Sequence, residues 1–124
     1  MEMSKVAVWF DIPVLDMARA KRFYSEVFHF SLHDERMHDM QLSMIEGEEA
    51  DTSGMLVQGE GYEPTATGQV VYFNGGDDLS VMLDRAVTLG SEVLVPKTDI
   101  GEGKGHFALF LDSEGNRIGL YSVN

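Results

Sequence analysis

The chain reads as an α+β domain built from two βαβββ modules, and three observations predict it. Val8-Trp9-Phe10-Asp11 is nearly repeated at Val71-Tyr72-Phe73-Asn74. After each copy an Asp stands where a helical stretch begins, Asp16 in the first case and Asp78 in the second. Each helix then runs into further strand-like segments, so the same order of elements occurs twice, as expected of two copies of one unit. A single unit of about 60 residues buries too little surface to be comfortable alone. Two are therefore expected to face each other across one elongated trough between curved mixed sheets, with a single site between them.

In chain order, Lys5 to Ile12 is rich in Val, Trp, Phe and Ile and predicts a buried strand, which Pro13 ends because it cannot donate to a ladder. Asp16 is the expected N-cap of a helix whose apolar stripe is Ala20, Phe23, Tyr24, Val27 and Phe28. His29 stands where a left-handed terminator is needed. Phe30 to Met37 predicts a second strand, and Met40, Leu42 and Met44 alternate with polar residues in a third. Glu46 to Ser53 is polar and predicts a loop, followed by a short strand from Gly54 to Gln58. The segment from Gly59 to Gly68 carries Gly59, Gly61, Pro64 and Gly68 and is the linker candidate.

The order then repeats. Gln69 to Asn74 is a strand, Gly75-Gly76-Asp77 a turn, and Asp78 the cap of a helix with the stripe Leu79, Met82, Leu83, Ala86 and Val87, closed by Gly90. Glu92 to Val95 is a strand broken by Pro96, and Thr98 to Gly105 is the most mobile-looking loop of this half. His106 to Asp112, a tight turn to Asn116, and Arg117 to Val123 complete the module. This gives one domain over residues 4–122, with module one at 4–59, module two at 68–122 and a linker at 60–67.

The 124 residues fit a single domain, and 44% hydrophobic with 24% charged residues suits a soluble globular chain. The absence of Cys excludes disulfides and thiolate sites. The first residues, Met1 to Lys5, do not form a secretory signal, and no apolar run approaches the ~20 residues needed to span a bilayer. A soluble, cytoplasmic protein without membrane contact is expected. A net charge of −12, from 21 acidic against 9 basic residues, repels phosphate backbones and argues against nucleic acid.

Three stretches resemble the vicinal oxygen chelate superfamily, which holds glyoxalase I, extradiol dioxygenases and bleomycin-resistance proteins. They are Asp11-Ile12-Pro13-Val14-Leu15-Asp16 leading to Arg22-Phe23-Tyr24, Val71-Tyr72-Phe73-Asn74 with Asp78-Leu79 and Gly90 behind it, and Leu111-Asp112-Ser113-Glu114-Gly115-Asn116-Arg117-Ile118-Gly119-Leu120-Tyr121. The resemblance implies the glyoxalase/bleomycin-resistance-like fold. In metal-dependent members, His, Glu or Gln ligands come from the first and last strands of each module. Matched position by position, those ligand places fall on Trp9, Met55 (within Gly54-Met55-Leu56), Tyr72 and Gly119. Indole, thioether, a lone phenol and a bare backbone are a poor set of donors for a first-row metal. No metal or other cofactor is therefore expected, a divalent metal being the alternative. Of the histidines, His29, His33, His38 and His106, none forms a spaced ligand pair, and a rearranged site would have to use His106 with a neighbouring carboxylate.

Trp9 and Tyr72 are candidate aromatic walls for a flat or cationic ligand, or else fill the space of a lost metal centre. Asp11 and Asn74, two residues further on, are expected on the same faces as polar contacts, unless each binds backbone in its own turn. Met44, Met55 and Tyr121 complete the candidate ligand-binding set, with Asp11 as the candidate general base. The resemblance implies a metal-free binder of a small organic molecule, of the bleomycin-resistance type. The alternative is a glyoxalase- or lyase-type enzyme that uses an unconventional metal site or acid–base chemistry at Asp11. A homodimer is expected, because sheets of this size leave edges to be covered.

Overall fold

The computed structural model describes residues 6–47 and 52–124. Two four-stranded mixed sheets carry two helices. Module one comprises β1 (Phe10–Pro13), α1 (Met17–Phe28), β2 (Ser31–Met37), β3 (Met40–Glu46) and β4 (Thr52–Gln58). Module two repeats the order with β5 (Val71–Asn74), α2 (Ser80–Thr88), β6 (Val93–Asp99), β7 (His106–Leu111) and β8 (Arg117–Ser122). The strand orders, β1-β4-β3-β2 and β5-β8-β7-β6, are equivalent. In each sheet the first strand pairs parallel to the last and the other pairings are antiparallel.

The first helix forms as its sequence predicts. Asp16 is extended (φ −137°, ψ 102°), and its Oδ1 accepts the Arg19 N–H at 3.1 Å, as an N-cap should. His29 is left-handed (φ 62°, ψ 31°) and its N–H reaches the Ser25 carbonyl at 2.9 Å. The second helix departs in detail. Leu79 occupies the N-cap position, and Asp78 acts from one residue earlier by accepting the Ser80 N–H at 2.9 Å. Gly90 (φ 97°) takes the left-handed place after the last turn. The predicted stripe is too wide, because Val87 lies exposed while Leu79, Leu83 and Ala86 are buried.

Strand boundaries also shift. β1 starts at Phe10, so Val6 to Trp9 precede the ladder, and Lys5 lies outside the described residues. The predicted loop from Glu46 to Ser53 gives both ends to strands, Glu46 pairing with Thr52, while 48–51 lie outside the described residues. β6 runs straight through Pro96, which is tolerated because β6 is an edge strand and its register slips on both sides of Val95. The loop expected to be mobile is pinned. Ile100 N–H bonds to the Gly105 carbonyl at 2.9 Å, Gly101 N–H to Asp99 Oδ1 at 2.7 Å, and the Tyr121 hydroxyl donates to the Lys104 carbonyl at 2.6 Å.

One core serves both modules. Ile12, Val14, Phe23, Tyr24, Val27 and Phe28 pack with Phe73, Leu79, Leu83, Phe110, Ile118 and Leu120. The repeat-equivalent Phe10 and Phe73 meet edge to face at 5.7 Å, and Phe28 lies 4.7 Å from Phe73. The inward residue of each repeated tetrapeptide therefore lies at the seam between modules.

The β7–β8 turn locks the seam. Buried Glu114 accepts the N–H groups of Leu15 (2.8 Å) and Asp16 (2.9 Å) and the Arg19 guanidinium (Nε 2.7 Å, Nη2 2.9 Å), so a carboxylate of module two faces the positive end of α1. Met17 N–H goes to Gln58 Oε1 at 2.9 Å. Asn116 Nδ2 donates to the Pro13 carbonyl at 2.8 Å, and Asn116 Oδ1 accepts the Thr65 N–H of the linker at 3.2 Å. Behind it, Asp112 accepts the buried Tyr24 hydroxyl at 2.6 Å.

Burial pushes the Glu114 carboxyl up, but Arg19, the two backbone N–H groups and Ser113 outweigh it and lower its pKa from 4.5 to about 2. For a carboxylate whose folded pKa is depressed, the stabilisation is complete above the ordinary value and is lost as pH falls towards the folded one. Asp112 has the opposite sign, since burial raises its pKa, with Tyr24 and Asn116 pulling against that. Glu114→Gln should cost about 2 kcal/mol at neutral pH. The difference in melting temperature between wild type and variant should shrink as pH drops from 4.5 to about 2, measured by pH-resolved thermal melts.

Candidate functional site

Strand alternation decides which side chains are left for function. Phe10 and Ile12 point into the shared core, so Trp9 and Asp11 take the other side of the same segment. The Trp9 indole N–H donates to Asp11 Oδ1 at 3.0 Å, which fixes the indole beside the carboxylate. Asp11 pairs with Met55, Met55 with Met44, and Met44 with His33, forming one row across the outer face of the first sheet. Met55 also packs with Leu42 and Val57 in a second, smaller apolar cluster that Met40, Met44 and the linker residue Tyr62 adjoin. Four candidates, Trp9, Asp11, Met44 and Met55, therefore share one face.

The other three share the equivalent face of the second sheet. Tyr72 is half exposed (52%), and its ring lies over Gly119, its partner in the parallel ladder. A Cβ added at Gly119 would sit 2.4 Å from that ring. Asn74 pairs with Tyr121, which pairs with Phe107. Asn74 Oδ1 accepts the Gly76 N–H at 2.9 Å, so its carbonyl serves its own turn. The Tyr121 hydroxyl is held by the Lys104 carbonyl.

The two sets lie on separate sheets, each on the side turned away from the common core. Among the described residues, no hydrogen bond or aromatic pair joins them. Hollows of about 460 Å³ beside Met17, Lys21 and Asp34, and of about 350 Å³ beside Arg19, Ser91 and Asp112, lie elsewhere.

The ladder registers revise one position. Phe10 pairs with Gly54 and its equivalent Phe73 with Leu120, so Gly54 corresponds to Leu120 and Met55 to Tyr121. The counterpart of Gly119 in β4 is therefore Ser53, not Met55. In the β3–β4 ladder a bulge between Ile45 and Glu46 leaves Ser53 without a partner.

The four corners are thus Trp9, Ser53, Tyr72 and Gly119, and they do not fit a metal ion. Indole nitrogen is not a ligand, Gly119 offers no side chain, and the space above it belongs to a phenol ring. The histidines are dispersed. His29 ends α1, His33 lies 3.3 Å from Glu35 on β2, His38 (φ 55°) sits in the β2–β3 turn, and His106 Nδ1 lies 3.3 Å from the Val123 carbonyl. No group of three His, Asp or Glu side chains suited to a metal occurs among the described residues.

Reading by motif passed over three residues. Glu114 looked like turn chemistry, and nothing local shows that its partners lie in α1. Tyr62 sits in a linker without periodicity. Arg117 was legible, since it shares parity in β8 with Gly119 and Tyr121 and so belongs to the same face.

A sequence model of the Glyoxalase/Bleomycin resistance protein/Dioxygenase superfamily matches residues 6–120. A Mycobacterium bovis relative that carries the name Putative glyoxylase CFP32 is 25% identical over 94% of this chain, which spans only 45% of that protein's length. Among solved structures, a glyoxylase/bleomycin resistance protein/dioxygenase domain from Frankia sp. EAN1pec superposes with a TM-score of 0.74 at 16% identity, covering 98% of this chain and 93% of that one. TnmS3, an antibiotic binding protein from Streptomyces sp. CB03234, superposes with a TM-score of 0.66 at 25% identity, covering 98% of both chains.

The two glycines that carry rings should behave differently. A Cβ at Gly54 meets the Phe10 ring at 2.3 Å, and that ring is wedged against Phe73 in the core. Gly54→Ala should therefore cost about 1–3 kcal/mol by overpacking. Gly119→Ala, which needs only to swing the exposed Tyr72 aside, should cost less than about 1 kcal/mol. Urea melts of the two variants check the order.

Proposed function

The chain belongs to the Glyoxalase/Bleomycin resistance protein/Dioxygenase superfamily, and from that premise we propose that it is a metal-free binder of a small organic molecule. The observation that carries this reading is the Tyr72 ring lying over Gly119, an aromatic surface where the family's metal enzymes hold a carboxylate. Trp9, the thioethers of Met44 and Met55, and Tyr121 extend the same chemistry, which suits a flat, largely apolar ligand. The likeness to an antibiotic-binding protein at 25% identity over nearly the whole chain supports the same class.

Asp11 positions Trp9 in this scheme. Its carboxylate accepts the indole N–H, which orients the ring and leaves the other oxygen for a polar group of the ligand. Tyr72 and Tyr121 offer a second aromatic wall. The two walls stand on separate faces of one chain, and each is an open surface, whereas a ligand needs enclosure. A homodimer in which the first-sheet face of one copy meets the second-sheet face of the other completes the trough. The exposed Val8, Trp9, Met37, Tyr72, Tyr121 and Val123 are the apolar surface that such pairing covers.

Trp9 is the only tryptophan and reports on its own face. Titration with planar aromatic compounds should quench its emission. Tyr72→Ala should weaken binding by about tenfold through loss of one aromatic contact and its buried area. Light scattering at micromolar concentration should give twice the chain mass of 13.8 kDa. A monomer, or one tightly held divalent ion per chain at these corners, would overturn the proposal. Turnover of methylglyoxal–glutathione hemithioacetal that disappears in Asp11→Ala and on chelation would replace it with the enzymatic alternative.

A further inference from the structure

Arg117 opens β8 and shares its outer side with Gly119 and Tyr121, since Ile118 and Leu120 point into the core. It is half-buried, and its Nε–H is shielded from solvent with no acceptor. Its one hydrogen bond is a long one, 3.4 Å from Nη2 to the Gly68 carbonyl. In a chain with 21 acidic and 9 basic residues, this guanidinium has no carboxylate partner among the described residues. Arg19 and Arg22 on α1 each have one, while Arg36 and Arg85 have none among the described residues, Arg85 donating instead to the Val27 carbonyl at 3.1 Å. A buried, unpaired N–H of a permanent cation is costly, and native structures normally satisfy it.

The shielded Nε–H cannot meet a ligand, but Nη1, which is neither buried nor hydrogen-bonded among the described residues, can, and its neighbourhood indicates what it would meet. Because Gly119 has no side chain, Arg117 and Tyr121 are the next side chains on either side of it along the strand, and the Tyr72 ring bridges the gap. The guanidinium therefore lies at the margin of the aromatic wall. We infer that Arg117 recognises an oxyanion, such as a carboxylate or sulfonate, on the ligand, which makes the ligand class a flat aromatic acid. This rests on the reading of the outer faces as the binding site. A net charge of −12 repels anions at long range, so recognition of an acid by this protein has to be local, through a short charge-assisted hydrogen bond.

A matched pair of fluorescent probes isolates the acidic group. 8-Anilinonaphthalene-1-sulfonate carries a sulfonate, and N-phenyl-1-naphthylamine has the same ring system without it. The folded wild-type protein should bind the sulfonate at least about tenfold more tightly than the neutral probe, a preference that weakens with added salt. Arg117→Gln should abolish the preference and leave the neutral probe within about twofold of wild type. Arg117→Lys, which keeps the charge but not the planar fork, should retain a reduced, salt-sensitive preference, and it decides the matter if the Gln variant does not fold. A preference that survives both substitutions overturns the inference alone. So does a change in oligomeric mass in Arg117→Gln with probe selectivity unchanged, which would assign the guanidinium to a second copy. Probe affinities indifferent to both Trp9→Ala and Tyr72→Ala would overturn the reading of the site, and the inference with it.

Discussion

The buried carboxylate of Glu114 is the constraint on which the rest of the structure depends. It answers the orphan N–H groups and the positive pole of α1 from the far end of the chain, and Arg19 neutralises it there. A helix end buried against another module without such a partner would leave several donors unsatisfied. With it, the last turn of module two holds the N-cap residue of the first helix of module one and the residue before it. Asn116 extends the lock to the Pro13 carbonyl and the linker at Thr65, and Asp112 extends it to the Tyr24 hydroxyl at the centre of the aromatic core.

Once the modules are locked in this way, one face of each sheet is committed. Phe10, Ile12 and Leu56 on one side and Phe73, Ile118 and Leu120 on the other are enclosed in the shared core. The proposed function uses the remaining faces, which carry Trp9, Asp11, Met55 and Met44 in one case and Tyr72, Asn74, Tyr121 and Arg117 in the other. The geometry there supports the proposed recognition of a ligand. The Tyr72 ring lies over Gly119, Asn74 and the Tyr121 hydroxyl are held by the backbone, and Asp11 is held by the Trp9 indole.

Much of this was legible in the residues. Alternation placed Trp9 with Asp11 and Tyr72 with Asn74, because a strand's period of two is a local property. The N-cap at Asp16 and the left-handed His29 followed from local hydrogen bonding and sterics. The errors have physical causes as well. Pro96 did not break its strand because an edge position asks nothing of the missing N–H. Val87 left the predicted stripe because a nine-residue helix buries only a narrow face. Met55 was matched to Gly119 because the residues of a strand do not mark which neighbour each opposes, and the parallel ladder sets Gly54 opposite Phe10.

The sequence by itself determined the duplicated order of elements, the two faces of every strand and the presence of rings and a bare glycine at Trp9, Tyr72 and Gly119, since all of these are read from neighbours a few residues away. Only the tertiary structure decided that the inward faces share one core, that Glu114 reaches α1 and that Arg117 has no carboxylate partner among the described residues. Those outcomes rest on contacts between groups far apart in the chain, such as Leu15 and Glu114, 99 residues apart, and strand alternation says that a face exists without saying what will cover it.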